Sequence, residues 1–220
     1  MRKLLTAPVV AGRLAVDFRS LKLPISDALA LDILLHKGFR QMRVEIVRIA
    51  LNQAGRVRYC RGAAIEKAPG LVDCSSFTKW VYGQAGIFLP RRSIQQRECG
   101  QPVRQSAVRP GDLLFTSGRN DWYHDDPADG VGHVGILTDR HTVVHAADEQ
   151  SGVIESSLDE FTRRDKFRGA RRITDLANLV TLEVPDTTGA SGGPQIEILD
   201  DLKWVIVQDL PEELRKDVAA

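Results

Sequence analysis

The residues in this sequence whose types suggest chemistry are one cysteine, Cys74, and two histidines, His133 and His145. Cys74 directly follows Asp73 and opens the helix-like run CSSFTKWVYG. Asp73 suits an N-cap, because its carboxylate can accept hydrogen bonds from the backbone N–H groups of the first turn. The partial positive charge of a helix start and a neighbouring imidazole both lower the pKa of a thiol. We therefore expect Cys74 to be an acidic nucleophile, although a lone buried cysteine is more often a small apolar side chain.

The two histidines lie on the β-branched runs HVGILT and HTVVHAA, which predict a β-hairpin. A two-residue turn at Asp139–Arg140 would put His133 and His145 on opposite faces of the sheet. An odd-length turn centred on Asp139 would put them directly across from each other, close enough to hydrogen-bond. Facing a thiol, one imidazole could then act as the base while the other orients it. One alternative is that both are ordinary strand histidines without a catalytic role. Another is a zinc site formed with the cysteine, which is weaker because no Cys-x-x-Cys or His-x-x-x-His spacing accompanies these residues.

The elements that must position these residues follow from hydrophobic periodicity. Helical patterns cover residues 23–39, 43–55 and 71–86, and strand patterns cover 111–116, 133–138, 141–147, 152–157 and 167–173. Helices that precede strands, without alternation, predict an α+β fold. The run VPDTTGASGGPQ predicts a linker, QIEIL and KWVIVQDL predict two further strands, and PEELRKDVAA predicts an exposed helical end.

Composition excludes several classes of protein. The 220 residues carry a net charge of +1, which gives no electrostatic case for binding nucleic acid or an anionic membrane. Three cysteines are too few for a disulfide scaffold. No apolar run is long enough for a transmembrane segment. The basic N-terminal tip precedes a short apolar stretch that Arg13 interrupts, so we do not predict a signal peptide, and localisation stays open.

Several ordered motifs resemble the NlpC/P60 cysteine peptidases of bacterial cell-wall turnover. They are RYCRG, DCSS with its aromatic helix, AGIFLPRRSIQQ, QSAVRPGDLLF, HVGILTDRHTVVHAADEQSGVIESSL and FRGARRI. The resemblance covers roughly residues 41–175, which we expect to form the peptidase domain. Residues 1–40 are expected to be a mostly helical extension, and residues 176–220 a linker and an extension with short strands. We have no functional account of either extension.

The resemblance implies a papain-like α+β fold, with an antiparallel sheet packed against helices and the nucleophile at a helix N-terminus. It also implies hydrolysis of the bond between D-γ-glutamate and a diamino acid in peptidoglycan stem peptides, through a thioester and without a cofactor or metal. By motif match, Cys74 is the nucleophile, His133 the base and His145 the polar third member. A cell-envelope or secreted location is implied too, although a cytoplasmic one remains open.

The resemblance implies lesser roles for residues around the nucleophile. Tyr59 is a polar contributor near it, and Asp73 and Ser75 match positions that in some members bind the free amine of an L-alanine terminus. Competing functions are an amidase or acyltransferase of the same superfamily, and a non-catalytic binding module that retains the fold. The sequence does not indicate an oligomeric state.

The departures from the family pattern raise two further expectations. Ser76 replaces the usual glycine, and its side chain is expected to narrow the cleft. The loop 117–132 is longer than usual, and its aromatic residues predict either a lid or subsite or a solvated loop, of which the solvated loop is favoured. The same loop has a cluster that is a weaker candidate for a metal site. The residues considered for the lid or subsite are Trp122, Tyr123 and His124, and the candidate metal cluster is His124, Asp125, Asp126 and Asp129.

Overall fold

The computed structural model describes residues 12–163, 165–173, 178–185 and 199–216. They divide into two compact units. The first unit contains the described residues of Glu45–Tyr82 and Leu89–Thr174, and the second contains those of Lys3–Val44, Gly83–Phe88 and Asp175–Ala220. Helices and antiparallel sheets occur without regular alternation, so the predicted α+β class is confirmed.

Seven α-helices are assigned within the described residues. They are α1 (Asp27–His36), α2 (Ile46–Leu51), α3 (Cys74–Gly83), α4 (Ser93–Arg97), α5 (Leu158–Phe161), α6 (Leu199–Gln208) and α7 (Glu212–Lys216). The strands are β1 (Arg13–Val16), β2 (Arg40–Met42), β3 (Arg58–Tyr59), β4 (Leu71–Val72), β5 (Gln101–Val103), β6 (Leu113–Thr116), β7 (His133–Leu137), β8 (Thr142–Asp148), β9 (Gly152–Ser157), β10 (Phe167–Arg172) and β11 (Val180–Glu183).

The first unit is built on a six-stranded antiparallel sheet in the order β5-β10-β6-β7-β8-β9. All four residues of β6 are buried, which explains why this strand reads as a continuous rather than an alternating run. One apolar cluster of this unit consists of Leu114, Leu137, Val143, Phe161 and Ala170. This sheet carries His133 at the first position of β7 and His145 in the middle of β8.

The turn between β7 and β8 differs from the prediction. Ile136 pairs with Val144, and this register centres the turn on Arg140 instead of Asp139. The loop has three residues, and the last of them, His141, adopts a left-handed backbone with φ of 57°. Three-residue hairpin loops with a left-handed last residue are common, and glycine is their usual signal. Because this position holds histidine and not glycine, the sequence did not indicate the three-residue turn.

The observed register still brings the two histidines to one face of the sheet. Continued by one residue, it places Gly135 opposite His145, so His133 is the diagonal neighbour of His145 and not its direct partner. Gly135 is needed here for space. A Cβ at this position would lie 2.4 Å from Val143 Cγ1, 3.0 Å from Phe161 Cζ and 3.1 Å from His145 Cβ.

The second unit contains a three-stranded antiparallel sheet in the order β1-β11-β2, together with α1 and α6. Its apolar core cluster consists of Leu14, Val16, Phe18, Leu21, Ala30, Leu34, Phe39, Leu182, Leu202, Val205 and Ile206. Both predicted extensions contribute to this unit. Strand β11, which the sequence reading did not assign, lies at the centre of its sheet.

The strand predicted over KWVIVQDL is wrong, because most of this run belongs to α6. The buried residues Leu202, Val205 and Ile206 recur at helical spacing, whereas Trp204 between them is 59% exposed. The predicted linker lies mainly outside the described residues, as does most of QIEIL. No helix within the described ranges has the length and apolar character needed to cross a membrane.

Candidate active site

The start of α3 is fixed by a reciprocal cap between Asp73 and Ser76. The Ser76 N–H donates to Asp73 Oδ1 at 2.8 Å, and the Asp73 N–H donates to Ser76 Oγ at 2.8 Å. This pattern is that of a capping box with serine in the place of the usual glutamate. Ser76 is fully buried and does not line the cleft described below, so the expectation that it narrows the cleft is wrong. The cap presents Cys74 as the first residue of the helix.

Asp73 is also held by Arg91 in a two-point ion pair. Arg91 Nη1 donates to Asp73 Oδ1 at 3.0 Å and Nη2 to Oδ2 at 2.6 Å, while Nη1 also donates to Ser75 Oγ and Nη2 to Ala63 O. Further donors to the carboxylate are the Gly62 N–H and the Ser75 hydroxyl. Burial alone would raise the pKa of Asp73, but the Arg91 guanidinium and the capping N–H hold it below its usual value. The carboxylate has little accepting capacity left.

Gln96 connects α3 to the segment that follows it. Its Nε2 donates to Ser75 O and to Pro90 O, each at 2.9 Å, and its Oε1 accepts from Thr78 Oγ1 at 2.7 Å. The side chain is fully buried, and its amide is paired on both sides. The sequence reading gave no role to Gln96 or Arg91, although both lie within the LPRRSIQQ motif.

Tyr59 reaches the site through a short parallel pairing of β3 with β4. Tyr59 lies opposite Val72, and the Cys60 N–H donates to Val72 O at 2.8 Å. Since Val72 is two residues before Cys74, this pairing brings the phenol to the start of α3. Burial raises the pKa of Tyr59, and the neighbouring Cys74 and the Asp73 carboxylate act in the same direction. The hydroxyl therefore remains protonated and can act as a donor.

The two imidazoles are hydrogen-bonded to each other. His133 Nε2 lies 2.8 Å from His145 Nδ1, and the rings meet edge to face with centroids 4.9 Å apart. On its other side, His145 Nε2 lies 2.9 Å from Ser156 Oγ in β9. Phe161 of α5 packs on both rings, with centroids 5.6 Å from His133 and 4.9 Å from His145. Neither Ser156 nor Phe161 was identified from the sequence, since neighbouring strands and α5 bring them in.

Both histidines are held in the neutral state. Burial lowers the pKa of His133 to about 4, with a smaller contribution from the charge of Lys166. Burial and the neighbouring His133 ring lower the pKa of His145 to about 3. At neutral pH each ring therefore has one N–H donor and one accepting nitrogen.

The thiol of Cys74 is also neutral, which corrects the prediction of a lowered pKa. Burial, and then the Asp73 carboxylate, raise the pKa of Cys74 to about 12. Backbone N–H groups of Val134 and Ser75 act in the predicted direction, but their effect is smaller than that of desolvation. The S–H group points to Gly132 O, with Sγ 3.9 Å from that oxygen. In the unliganded protein the proton therefore stays on sulfur.

One cleft of about 770 Å³ unites most of the site. It is lined by all the predicted site residues except His145, namely Tyr59, Asp73, Cys74, Ser75 and His133. His145 is buried, does not line the cleft and is hydrogen-bonded to His133, which does. This placement corresponds to a residue that orients a base without touching a ligand itself.

The long loop before β7 supplies part of the cleft wall through Trp122, which is 50% exposed. Other polar side chains of this loop are engaged in ion pairs. Asp129 pairs with Arg97 at 2.6 Å, and His124 Nε2 lies 2.5 Å from Glu98 Oε1. Within the part of the chain that the structure describes, no cluster of three or more histidine, cysteine or acidic side chains is arranged to hold a metal.

Comparison with known proteins gives relatives that match through about half of this chain. It is 36% identical over 119 residues to the murein DD-endopeptidase MepS/murein LD-carboxypeptidase of Escherichia coli (strain K12), a match that covers 53% of the chain and 56% of that protein. It is 37% identical over 92 residues to a probable endopeptidase of Corynebacterium glutamicum (strain R), covering 41% of the chain and 38% of that protein. The match thus spans about half, or less, of the length of these relatives.

Among solved structures, the NlpC/p60 domain of the peptidoglycan hydrolase SagA aligns at 27% identity with a TM-score of 0.46, over 58% of this chain and 95% of that domain. The peptidoglycan hydrolase RipB of Mycobacterium tuberculosis aligns at 19% identity with a TM-score of 0.46, over 69% of each chain. The sequence model of the NlpC/P60 family matches residues 56–172, which is more than half of the chain. The resemblance noted in the sequence is therefore confirmed, and the chain belongs to the NlpC/P60 family.

Proposed function

We propose that this protein is a cysteine endopeptidase that hydrolyses peptidoglycan stem peptides, at the bond between D-γ-glutamate and the diamino acid. The observation that carries the proposal is the shared cleft of Cys74 and His133, together with the 2.8 Å bond that ties His133 to His145. The endopeptidase names of the relatives support the reaction class, and murein in the name of the Escherichia coli relative supports the substrate. We assign the activity to residues 41–175.

The hydrogen-bond chain admits a set of tautomers that suits the proposed mechanism. If His145 Nε2–H donates to Ser156 Oγ, then His145 Nδ1 accepts the N–H of His133 Nε2. His133 Nδ1 is then unprotonated and available to take a proton from the Cys74 thiol. His145 thus orients His133 in the way that a carboxylate does in other triads, but without its negative charge. An imidazolium at His133 is stabilised less, which agrees with its lowered pKa.

Because the thiol and the imidazole are both neutral at rest, we propose that proton transfer accompanies attack. The S–H turns from Gly132 O to His133 Nδ1 as Sγ bonds to the amide carbon. The carbonyl oxygen becomes an oxyanion near the N–H of Cys74, one of the donors that a helix start leaves unpaired, and near the Tyr59 hydroxyl. His133 then protonates the leaving amine, and the C–N bond breaks to give the thioester.

Hydrolysis of the thioester runs through the same base. His133 takes a proton from water, the hydroxide adds to the thioester carbon, and the C–S bond breaks with return of the proton to Cys74. Asp73 acts in this scheme through the cap and through Arg91. Its expected part, with Ser75, in binding a free substrate amine stays a prediction, and such an amine would have to displace the Arg91 guanidinium.

Mass spectrometry of muropeptides incubated with the protein tests the proposal. We expect a product pair that ends in D-glutamate and begins with the diamino acid, and no products with the Cys74→Ala variant. Cleavage at a different bond would reassign the specificity, whereas release of the peptide from the sugar would indicate the amidase alternative. Binding without any cleavage would favour a non-catalytic module.

A further inference from the structure

The cleft has an uneven charge distribution that the proposed chemistry does not use. Four arginines line it: Arg61, Arg91, Arg92 and Arg119. Arg91 is neutralised by its ion pair with Asp73. Within the described parts of the chain, no carboxylate lies within ion-pair distance of the other three. Three arginines therefore line one substrate-sized cleft with no carboxylate counter-ion among the described residues.

Two of these arginines are held in place by the long loop before β7. The Arg92 guanidinium stacks over the Trp122 ring at 4.5 Å from its centroid. Stacking uses the face of the guanidinium and leaves its edge N–H groups to a ligand. The Asn120 side-chain oxygen, in the amide orientation that faces Arg61, accepts from both terminal nitrogens at 2.7 and 3.0 Å. Arg119 comes from the same loop, so the loop supplies one of the three arginines and contacts the other two.

Besides Asp73, two acidic residues line the cleft, Asp148 and Glu149. Asp148 Oδ1 accepts from the N–H groups of Gln150 and Ser151, so its carboxylate is committed to the β8–β9 turn. Glu149 is exposed beside it in the same turn. Neither carboxylate pairs with the three arginines. The acidic groups therefore leave the three guanidinium groups without an ion pair to Asp148 or Glu149.

We infer that Arg61, Arg92 and Arg119 form a carboxylate-binding wall that selects stem peptides with free, unamidated carboxylates beside the scissile bond. This inference rests on the proposed function for the identity of the peptide. Guanidinium edges match carboxylates with paired N–H donors, which an uncharged amide cannot engage in the same way. The wall accounts for the long loop, whose Trp122 and Asn120 hold the cations that the ligand meets.

The test is a set of three synthetic peptides, L-alanyl-γ-D-glutamyl-meso-diaminopimelyl-D-alanine and two versions in which either the glutamyl or the diaminopimelyl carboxylate is an amide. Their affinities are measured by calorimetry on the Cys74→Ala protein, so that binding is read without turnover. We expect the free acid to bind about tenfold more tightly than one of the two amides, which identifies the carboxylate that the wall contacts. Changing Arg61, Arg92 and Arg119 together to glutamine should reduce this ratio to within about twofold.

Arg104→Gln is the matched control, because Arg104 is an exposed arginine that does not line the cleft. It should keep the full ratio. Equal affinity for all three peptides, or an unchanged ratio in the triple variant, would overturn the inference. Hydrolysis by the unaltered protein is scored separately. If all three peptides bind equally and are cleaved at one rate, the inference is wrong and the proposed function stands. If binding is selective but no peptide is cleaved, the inference stands and the proposed function is wrong.

Discussion

The two units of this protein differ in what they bury. In the second unit, the cluster around Leu14, Leu34 and Leu182 consists of apolar side chains alone. In the first unit, buried polar side chains concentrate around the start of α3 and on the histidine hairpin. With the exception of Thr181, all buried polar side chains within the described residues lie in the first unit: Asp73, Ser75, Ser76, Thr78, Ser93, Gln96, Asp112, Thr116, Thr138, His145 and Thr162.

The difference separates two uses of a protein interior. An unpaired buried polar group costs about 1–3 kcal/mol, so each such group in the first unit requires a partner. The pairs between Asp73 and Arg91 and between Gln96 and Ser75 meet this requirement. The first unit buries many polar groups, which must be paired, because they position the residues of the proposed site. The second unit buries far fewer polar groups and gains its stability mainly from apolar burial.

The largest expected effect on activity comes from removal of the proposed nucleophile. Cys74→Ala should lower kcat/KM by at least about 10⁴-fold, because no other lining residue replaces the sulfur. The free energy of unfolding should change by less than about 1 kcal/mol, as measured by denaturant titration. Cys99→Ala is the matched control and should keep activity. Activity of Cys74→Ala within tenfold of the parent would refute the cysteine-peptidase proposal.

The two histidines should differ in severity. His133→Ala removes the proposed base and should cost about 10³-fold in kcat/KM. His145→Gln should cost only about 10- to 100-fold, since an amide oxygen can still accept from His133 Nε2–H. Steady-state kinetics on the peptide that the parent cleaves provides the comparison. Equal losses in the two variants would mean that His145 does more than orient its neighbour.

A core truncation in the second unit should affect stability without affecting the site. Leu182 is fully buried, and Leu182→Ala should lower the free energy of unfolding by about 2–5 kcal/mol. The kcat/KM of the folded fraction should remain within about twofold of the parent. A larger kinetic defect in fully folded protein would show that the apolar core also positions the catalytic groups.

Gln96→Leu is the counterpart of that change in the first unit. It removes the donors to Ser75 O and Pro90 O and should lower the free energy of unfolding by about 1–3 kcal/mol. It should also reduce kcat/KM by about tenfold, because the first turn of α3 loses a fixed support. If kcat/KM stays at the parental value, the polar network serves stability alone.

The smallest expected effect is in the pH profile near neutrality. Because the neutral His133 is the active form in the proposed mechanism, kcat/KM should be flat from about pH 6 to 9 and fall as pH approaches about 4. A thiolate–imidazolium pair would instead lose activity as the imidazolium deprotonates at alkaline pH. A clear alkaline limb near pH 8 in kcat/KM would therefore show that the free protein holds a thiolate–imidazolium pair and would contradict the neutral resting state.

The same shifts set the pH dependence of stability. The pKa of each imidazole is 6.5 when unperturbed and falls to about 4 for His133 and about 3 for His145 in the folded protein. Between these values the unfolded chain binds more protons than the folded one, so the free energy of unfolding rises with pH. The stability that these two groups contribute is complete above about pH 6.5 and is lost as pH falls toward about 3. Denaturant titrations of the parent and of His145→Gln should diverge in this window.

Local rules were sufficient for the parts of the site that adjacent residues determine. Asp73 as a cap, Cys74 at the helix start and the histidine hairpin all follow from short patterns. The turn centre was missed because His141 adopts the left-handed conformation without being glycine. The strand prediction for KWVIVQDL failed because its β-branched residues also fit a helix with one buried face.

Other features depend on contacts between distant segments. The pKa of Cys74 is dominated by burial, which no local pattern reports, so the helix start alone gave the wrong direction. Ser156 and Phe161 meet the imidazoles only after β9 and α5 have packed. Arg91 was visible in a motif, but its pairing with Asp73 across 18 positions was not.

Gly135 limits how the histidine hairpin can be redesigned. A library that randomises β7 should return glycine at this position among active clones, for reasons of volume and not of backbone conformation. Even a methyl group there meets the Val143 side chain at 2.4 Å and crowds His145. A designer who transfers the imidazole pair to another antiparallel sheet must therefore also place a glycine opposite the second histidine, because neighbouring side chains already fill the space that a larger residue would need.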